Sequence, residues 1–259
     1  MQGLPGLFIM IDGLDGVGKG VVQKAFIDLI PGRTFDIHAF WDKHKLHPDF
    51  ENKFFGEKPN PVFVDLSGFD VLLSSEPTWA GVGLAIREEV IGKNNRIYSA
   101  KSTADFYACD RLVLYKRVII PALKAGKTVI QSRGISTSIV YQPIQSTMQG
   151  ELPLAVEDII SLEGNALALK FAPDFLIIPT IKDVASVMER LNSRDKTDNC
   201  VFENLDFQSR IKPLYESETL KNIFEKNGTK VIYLDAGISV EKTKEQVKHI
   251  YEKSIQSFK

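Results

Sequence analysis

The chain has 259 residues, 44% of them hydrophobic and 25% charged, with a formal net charge of −1. That is long enough for one large α/β domain or two small ones, with a core that needs no staple, and the near-neutral balance argues against electrostatic capture of nucleic acid. The two cysteines, Cys109 and Cys200, lie far apart and suggest neither a disulfide framework nor a zinc site.

In chain order, the apolar start GLFIMI is too short to cross a membrane, has no basic flank and runs into a glycine-rich loop, so it reads as a buried strand of a cytoplasmic protein with no membrane partner. Five runs read as central strands: LFIMID from Leu7, FDVLLS from Phe69, KTVIQS from Lys127, DFLIIP from Asp174 and KVIYLD from Lys230. Helical spacing fills the intervals: VVQKAFIDLI after the loop, VGLAIREEVI after Trp79, and the long ADFYACDRLVLYKRVIIPALKA before the third strand. Further helices are expected over Val156–Leu169, Val184–Leu191 and from Val240 to about Ile255. Short apolar strands alternating with helices imply a parallel sheet covered on both faces. Residues 31–68 exceed a minimal unit and read as an insertion with an extra edge strand, TFDIHAF, packed on the surface by its phenylalanines and Trp41. His44 and His47 within it have helical i, i+3 spacing but no third ligand, and read as ordinary histidines of a surface insertion.

The stretch GLDGVGKGVVQ, Gly13 to Gln23, carries the chemistry. A strand precedes it, a helix follows, and Gly13, Gly16 and Gly18 fall where a backbone turns tightly around an anion. The amides of Gly13, Leu14, Asp15, Gly16, Val17, Gly18, Lys19, Gly20 and Val21, together with the helix N-terminus, would form a positive concavity for the phosphates of ATP. Lys19 would contact the outer phosphates. Asp15 stands where a carboxylate faces the neighbouring site. Gly20 occupies the place of the serine or threonine whose hydroxyl helps to hold Mg²⁺.

With IDGLDGVGKG in place, the chain resembles the thymidylate kinase family of nucleoside monophosphate kinases. SSEPTWAGVGLAIRE is similar to the family's Glu-Pro loop and following helix. FYACDR and RVIIPALKAGKTVI are similar to its Phe-Ala-Ala-Asp-Arg helix, and QSRGISTSIVYQ to its Asp-Arg-Tyr segment with Ser-Ser-x-x-Tyr-Gln. APDFLIIPTIKDVASVMERLNSR is similar to its strand, helix and arginine-bearing lid. The resemblance implies a single nucleoside monophosphate kinase-like domain over 1–259: a three-layer α/β/α sandwich of the P-loop NTPase kind, with a five-stranded parallel core, the 31–68 insertion and a lid over 192–204. It implies transfer of the γ-phosphoryl of ATP, with Mg²⁺, to dTMP, giving dTDP. Lys19, Arg133 and Arg194 would be catalytic, and Arg190 and Arg194 would reach the donor phosphates. Asp15, Tyr107, Arg111, Arg133, Ser138, Tyr141 and Gln142 would bind the acceptor, with Tyr107 stacking on the base and Asp15 taking the sugar hydroxyl. A homodimer is also implied.

The departures bear on the metal and the acceptor. Gly20 lacks the hydroxyl, Ser132 replaces an aspartate, Gly134 a tyrosine and Ser75 an arginine. A lost contact to a charged group costs about 1.5–3 kcal/mol, roughly ten- to a hundredfold in rate. Mg²⁺ held mainly by the nucleotide's phosphates, with Asp12, Asp15 or Ser132 in its second shell, implies a slower or differently tuned kinase. A kinase of another nucleotide or nucleoside, and a catalytically degenerate nucleotide-binding module, stay open at this stage.

Overall fold

The computed structural model describes residues 3–192 and 200–256. Strand β1 (Leu7–Ile11) is buried at all five positions, as a central parallel strand covered on both faces must be. It leads through the glycine loop to α1 (Lys19–Leu29), then to the edge strand β2 (Thr34–Asp36) and α2 (Ile37–His44). A two-stranded hairpin, β3 (Phe54–Phe55) with β4 (Lys58–Pro59), precedes β5 (Val71–Ser75). Then come α3 (Val82–Ala85), extended by wide turns over Ile86–Val90, and α4 (Ala100–Leu114), which runs on through such turns into α5 (Ile120–Lys124). Strand β6 (Thr128–Ser132), α6 (Ile135–Met148), α7 (Val156–Ser161), α8 (Glu163–Lys170), β7 (Phe175–Thr180) and α9 (Val184–Asn192) follow. Helices α10 (Leu205–Tyr215) and α11 (Glu218–Lys226), strand β8 (Lys230–Asp235) and α12 (Val240–Ile250) complete the order.

The main sheet has six strands in the order β2-β5-β6-β1-β7-β8, all parallel. The expected five form its body, and β2 adds a sixth at the edge. That edge strand is shorter than expected: after Thr34–Asp36 the chain turns into α2, because the Asp36 side chain accepts from the His38 amide and caps the helix. The register sets Ile11, Ser132 and Ser75 side by side. The loops after β1, β5 and β6 therefore leave the same carboxyl edge, where open α/β sheets bind ligands.

Helices α1 and α12 pack together on one face, and α4, α6 and α8 pack together on the other. Helices α4 and α8 approach so closely that a Cβ at Gly164 would lie 1.8 Å from the Ala108 carbonyl. The helix expected over Val156–Leu169 is two, broken at Leu162, whose ψ of 136° is extended. The insertion packs through Phe35, Phe40 and Phe50, whose rings meet edge-on, with Trp41 fully buried; Phe54 and Phe55 of the hairpin stay exposed. His47 is not a surface residue: it is 6% exposed against Trp41, and burial pushes its pKa down to about 4.

Candidate active site

Gly13, Gly16 and Gly18 adopt φ values of 151°, 80° and 106°, which only glycine takes without strain. The turn they form closes on Lys19, whose Nζ donates to the carbonyls of Gly13 at 2.9 Å and Leu14 at 2.7 Å and lies 3.8 Å from Asp15 Oδ1. The loop thus holds its lysine against its own carbonyls.

Two clefts meet at this loop. One, of about 390 Å³, is lined by Gly16, Val17, Gly18 and Val21 together with Arg190 and the β8–α12 connection at Ala236 and Ser239. Arg190 donates to the Ala236 carbonyl at 3.1 Å, so the cation is tethered at the rim. The other cleft, of about 650 Å³, is lined by Asp15, Tyr107, Ser132, Arg133 and Tyr141, with Trp79 and Arg87 on a further wall. The Arg87 guanidinium lies 4.0 Å over the Trp79 ring and donates to the Pro77 and Thr78 carbonyls.

Asp15 is the hinge of the second cleft. Its carboxylate pairs with Arg133 and accepts from Tyr141 Oη at 3.0 Å and Gln208 Nε2 at 3.0 Å. Its amide donates to Gln208 Oε1 at 2.9 Å. Arg133 takes a left-handed φ of 63°, rare for a side-chain-bearing residue, and its amide bonds Ile11. That turn brings the guanidinium back over the loop. Burial pushes the Tyr141 phenol up to about 12, so it stays a donor. Sequence reasoning missed Gln208 because α10 was not anticipated. The Asn204 cap, with Phe207, Ile211 and Tyr215 at i, i+4 spacing, was the signal available.

Three expected acceptor residues do not reach the cleft. Arg111 is fully buried, with Nη2 2.5 Å from Glu76 Oε2 and further bonds to Asn165 and to Ser138 Oγ at 3.2 Å. Burial pushes Glu76 up to about 7, outweighing the opposing Arg111. Ser138 and Gln142 are likewise buried, at 0% and 1% exposure, and line neither cleft. Arg111 and Ser138 support the wall from behind, through the bond from Arg111 to Ser138 and its ion pair with Glu76. Arg194 lies outside the described residues, as does most of the expected 192–204 lid. The part of that segment that is described joins the second cleft: Cys200, Phe202 and Glu203 line it, and the Val201 amide bonds the Ile91 carbonyl at 2.9 Å.

The expected metal shell also changes. Asp12 is fully buried and its oxygens are committed to the Gly13 amide and to Ser136, Thr137 and Tyr215 at 2.5–3.0 Å. Asp15 is held by the partners above. Among the described residues no group of three or more His, Cys, Asp or Glu side chains could hold a metal. A Cβ at Gly20 would meet nothing within 4 Å, which leaves room there for a water. Ser132 remains at the cleft. The described residues thus offer no ligand cage of their own, and a divalent ion would have to be held largely by ligands other than protein side chains.

The family model for thymidylate kinase matches residues 65–247. A probable thymidylate kinase of Caldivirga maquilingensis is 28% identical over 210 residues, covering 81% of this chain and 78% of that protein. The thymidylate kinase of Mesomycoplasma hyopneumoniae is 29% identical over 223 residues, covering 83% and 85%. Thymidylate kinase from Candida albicans shares the fold, with a TM-score of 0.58 at 17% identity over 95% of this chain and 91% of that one. With the family model spanning more than half of its length, the chain belongs to the thymidylate kinase family.

Proposed function

We propose that the protein transfers the γ-phosphoryl group of ATP, entering as its Mg²⁺ complex, to dTMP and releases dTDP and ADP. The observation that carries this reading is the pair of clefts on either side of one phosphate loop: Arg190 rims the first, and Arg133 and Asp15 lie in the second. Triphosphate oxygens drawing Lys19 off the Gly13 and Leu14 carbonyls let the ammonium and loop amides take up charge on the transferred group. Arg133 grips the acceptor phosphate while Asp15 turns to the sugar hydroxyl. Tyr107 and Tyr141 border the base. No general base is needed, since the acceptor phosphate is already an anion. Arg190, with Arg194 from the lid, supplies the donor-side cations in place of a loop arginine, for which Gly16 has no side chain. The reading includes a homodimer, which sedimentation velocity tests. ADP release across a panel of monophosphates and nucleosides tests the reaction. Mg²⁺-dependent turnover with dTMP is expected, and a protein that turns over none of the monophosphates would not be this kinase.

A further inference from the structure

The acceptor cleft contains a hydrogen-bonded chain that the reaction above does not use. His38 comes from the 31–68 insertion and lines the cleft beside Ser75, the last residue of β5. Its Nδ1 lies 2.9 Å from Asp36 Oδ1, and its Nε2 lies 2.8 Å from Ser75 Oγ. We propose that His38 is a specificity-determining residue of the acceptor site, a titratable group whose protonation decides whether the Ser75 hydroxyl can donate to an anionic acceptor. The inference rests on the acceptor reading of this cleft.

The logic is one of donors and acceptors. A carboxylate only accepts, so Asp36 fixes the imidazole with a proton on Nδ1. In the neutral ring Nε2 then has only a lone pair. Ser75 must donate its hydroxyl proton to it, and the oxygen turned to the cleft is an acceptor that repels phosphate. In the imidazolium, Nε2–H donates to Ser75 Oγ, and the hydroxyl proton is free to point at a phosphate oxygen. The same event adds a positive charge at the wall. Dianion binding and proton uptake by His38 are therefore linked, each favouring the other.

The surroundings allow this. Asp36 is held below its ordinary range chiefly by its bond from His38. Trp41 from α2 meets the imidazole edge-on with ring centres 5.5 Å apart and carries no charge. Of the charged residues that line this cleft, the two that follow Ser75 and its sheet neighbour Ser132 each have a charged partner. Glu76, after Ser75, is engaged by Arg111 and by Gln131 at 3.0 Å. Arg133, after β6, is engaged by Asp15 of the loop. Asp36 is therefore the carboxylate bonded to the ring.

The experiment compares the KM for dTMP between pH 5.5 and 8.5 in the wild type, His38→Asn, Ser75→Ala and Asp36→Asn, with the KM for ATP as control. The expected result is a wild-type dTMP KM that rises with pH about tenfold more than that of His38→Asn. Ser75→Ala loses part of that excess, since the imidazolium charge remains, and Asp36→Asn moves it to lower pH. The proton resonances of His38 shift to a higher titration midpoint on adding dTMP, and uncharged thymidine has no such effect. Parallel profiles for the wild type and His38→Asn in a working kinase overturn this inference alone. Failure of every monophosphate to bind or turn over overturns the acceptor reading and the inference with it.

Discussion

Replacing Gln208 tests whether α10 holds the loop from behind. Gln208 is fully buried and uses its whole amide: Oε1 accepts from the Asp15 amide, and Nε2 donates to Asp15 Oδ2 at 3.0 Å and to the Phe202 carbonyl at 3.1 Å. In Gln208→Ala the two neutral bonds are each worth about 1 kcal/mol and the bond to the carboxylate about 1.5–3 kcal/mol. A loss of about 3.5–5 kcal/mol is therefore expected, and part of it is local because the Asp15 amide is left buried without its acceptor. Urea unfolding followed through Trp41 and Trp79 reads the global part, expected near 3 kcal/mol. Steady-state kinetics read the local part: with Asp15 free to rotate, the acceptor KM rises at least tenfold and the ATP KM moves less. Gln208→Glu sets a carboxylate against Asp15, so it is worse than alanine at neutral pH and recovers in acid. Unchanged stability together with an unchanged acceptor KM in Gln208→Ala would refute the placement of α10 as a brace for the loop.

Gly20→Ser adds a hydroxyl into space where a Cβ meets nothing within 4 Å. It should fold normally and raise kcat/KM for Mg²⁺-ATP about tenfold over a Gly20→Ala control, which isolates helix propensity. Arg133→Gln removes the cation proposed to hold the acceptor and leaves buried Asp15 with Lys19 as its remaining cation, so kcat/KM for dTMP falls at least a hundredfold while the ATP KM changes little. Glu76 titrates at about 7 in the folded chain against an ordinary 4.5, so the folded protein keeps a proton that the unfolded chain has released. Its contribution is full below about pH 4.5 and is lost as pH rises to about 7, an effect on the order of 3 kcal/mol that Glu76→Gln should flatten in pH-dependent unfolding.

Much of this was legible because parallel strands buried on both faces must be continuous apolar runs, and LFIMID, FDVLLS, KTVIQS, DFLIIP and KVIYLD are such runs. The phosphate loop was legible for the same local reason: strand, glycines and helix are neighbours in sequence. Contacts that close over long stretches of chain were not. Gln208 meets Asp15 across 193 positions, and no local pattern encodes that meeting. Arg111 shows the limit of helical spacing, which placed it one turn beyond Tyr107. Spacing gives the face of the helix but not its depth, and Glu76 captures the guanidinium before it can enter the cleft. The edge strand misled because TFDIHAF alternates like a strand, while Asp36 caps a helix within it.

Gly16 shows how one missing side chain organises the rest. A Cβ there would lie 2.8 Å from Leu191 Cγ and 2.9 Å from the Val187 carbonyl, so α9 rests directly on the loop. No arginine could occupy this position without displacing the helix, and its φ of 80° would strain any side chain. The absence of a loop arginine and the seating of α9 are thus one fact. The next residue back, Asp15, is held by α10. The two helices that flank the 193–199 segment therefore bear on adjacent residues of the same turn. Gly16 lines the first cleft and Asp15 the second. A shift of either helix cannot leave the loop unchanged, and through one peptide unit it reaches both clefts. On the proposed reading, donor-side charge beyond Lys19 comes from Arg190, tethered to Ala236 across that cleft, and from Arg194.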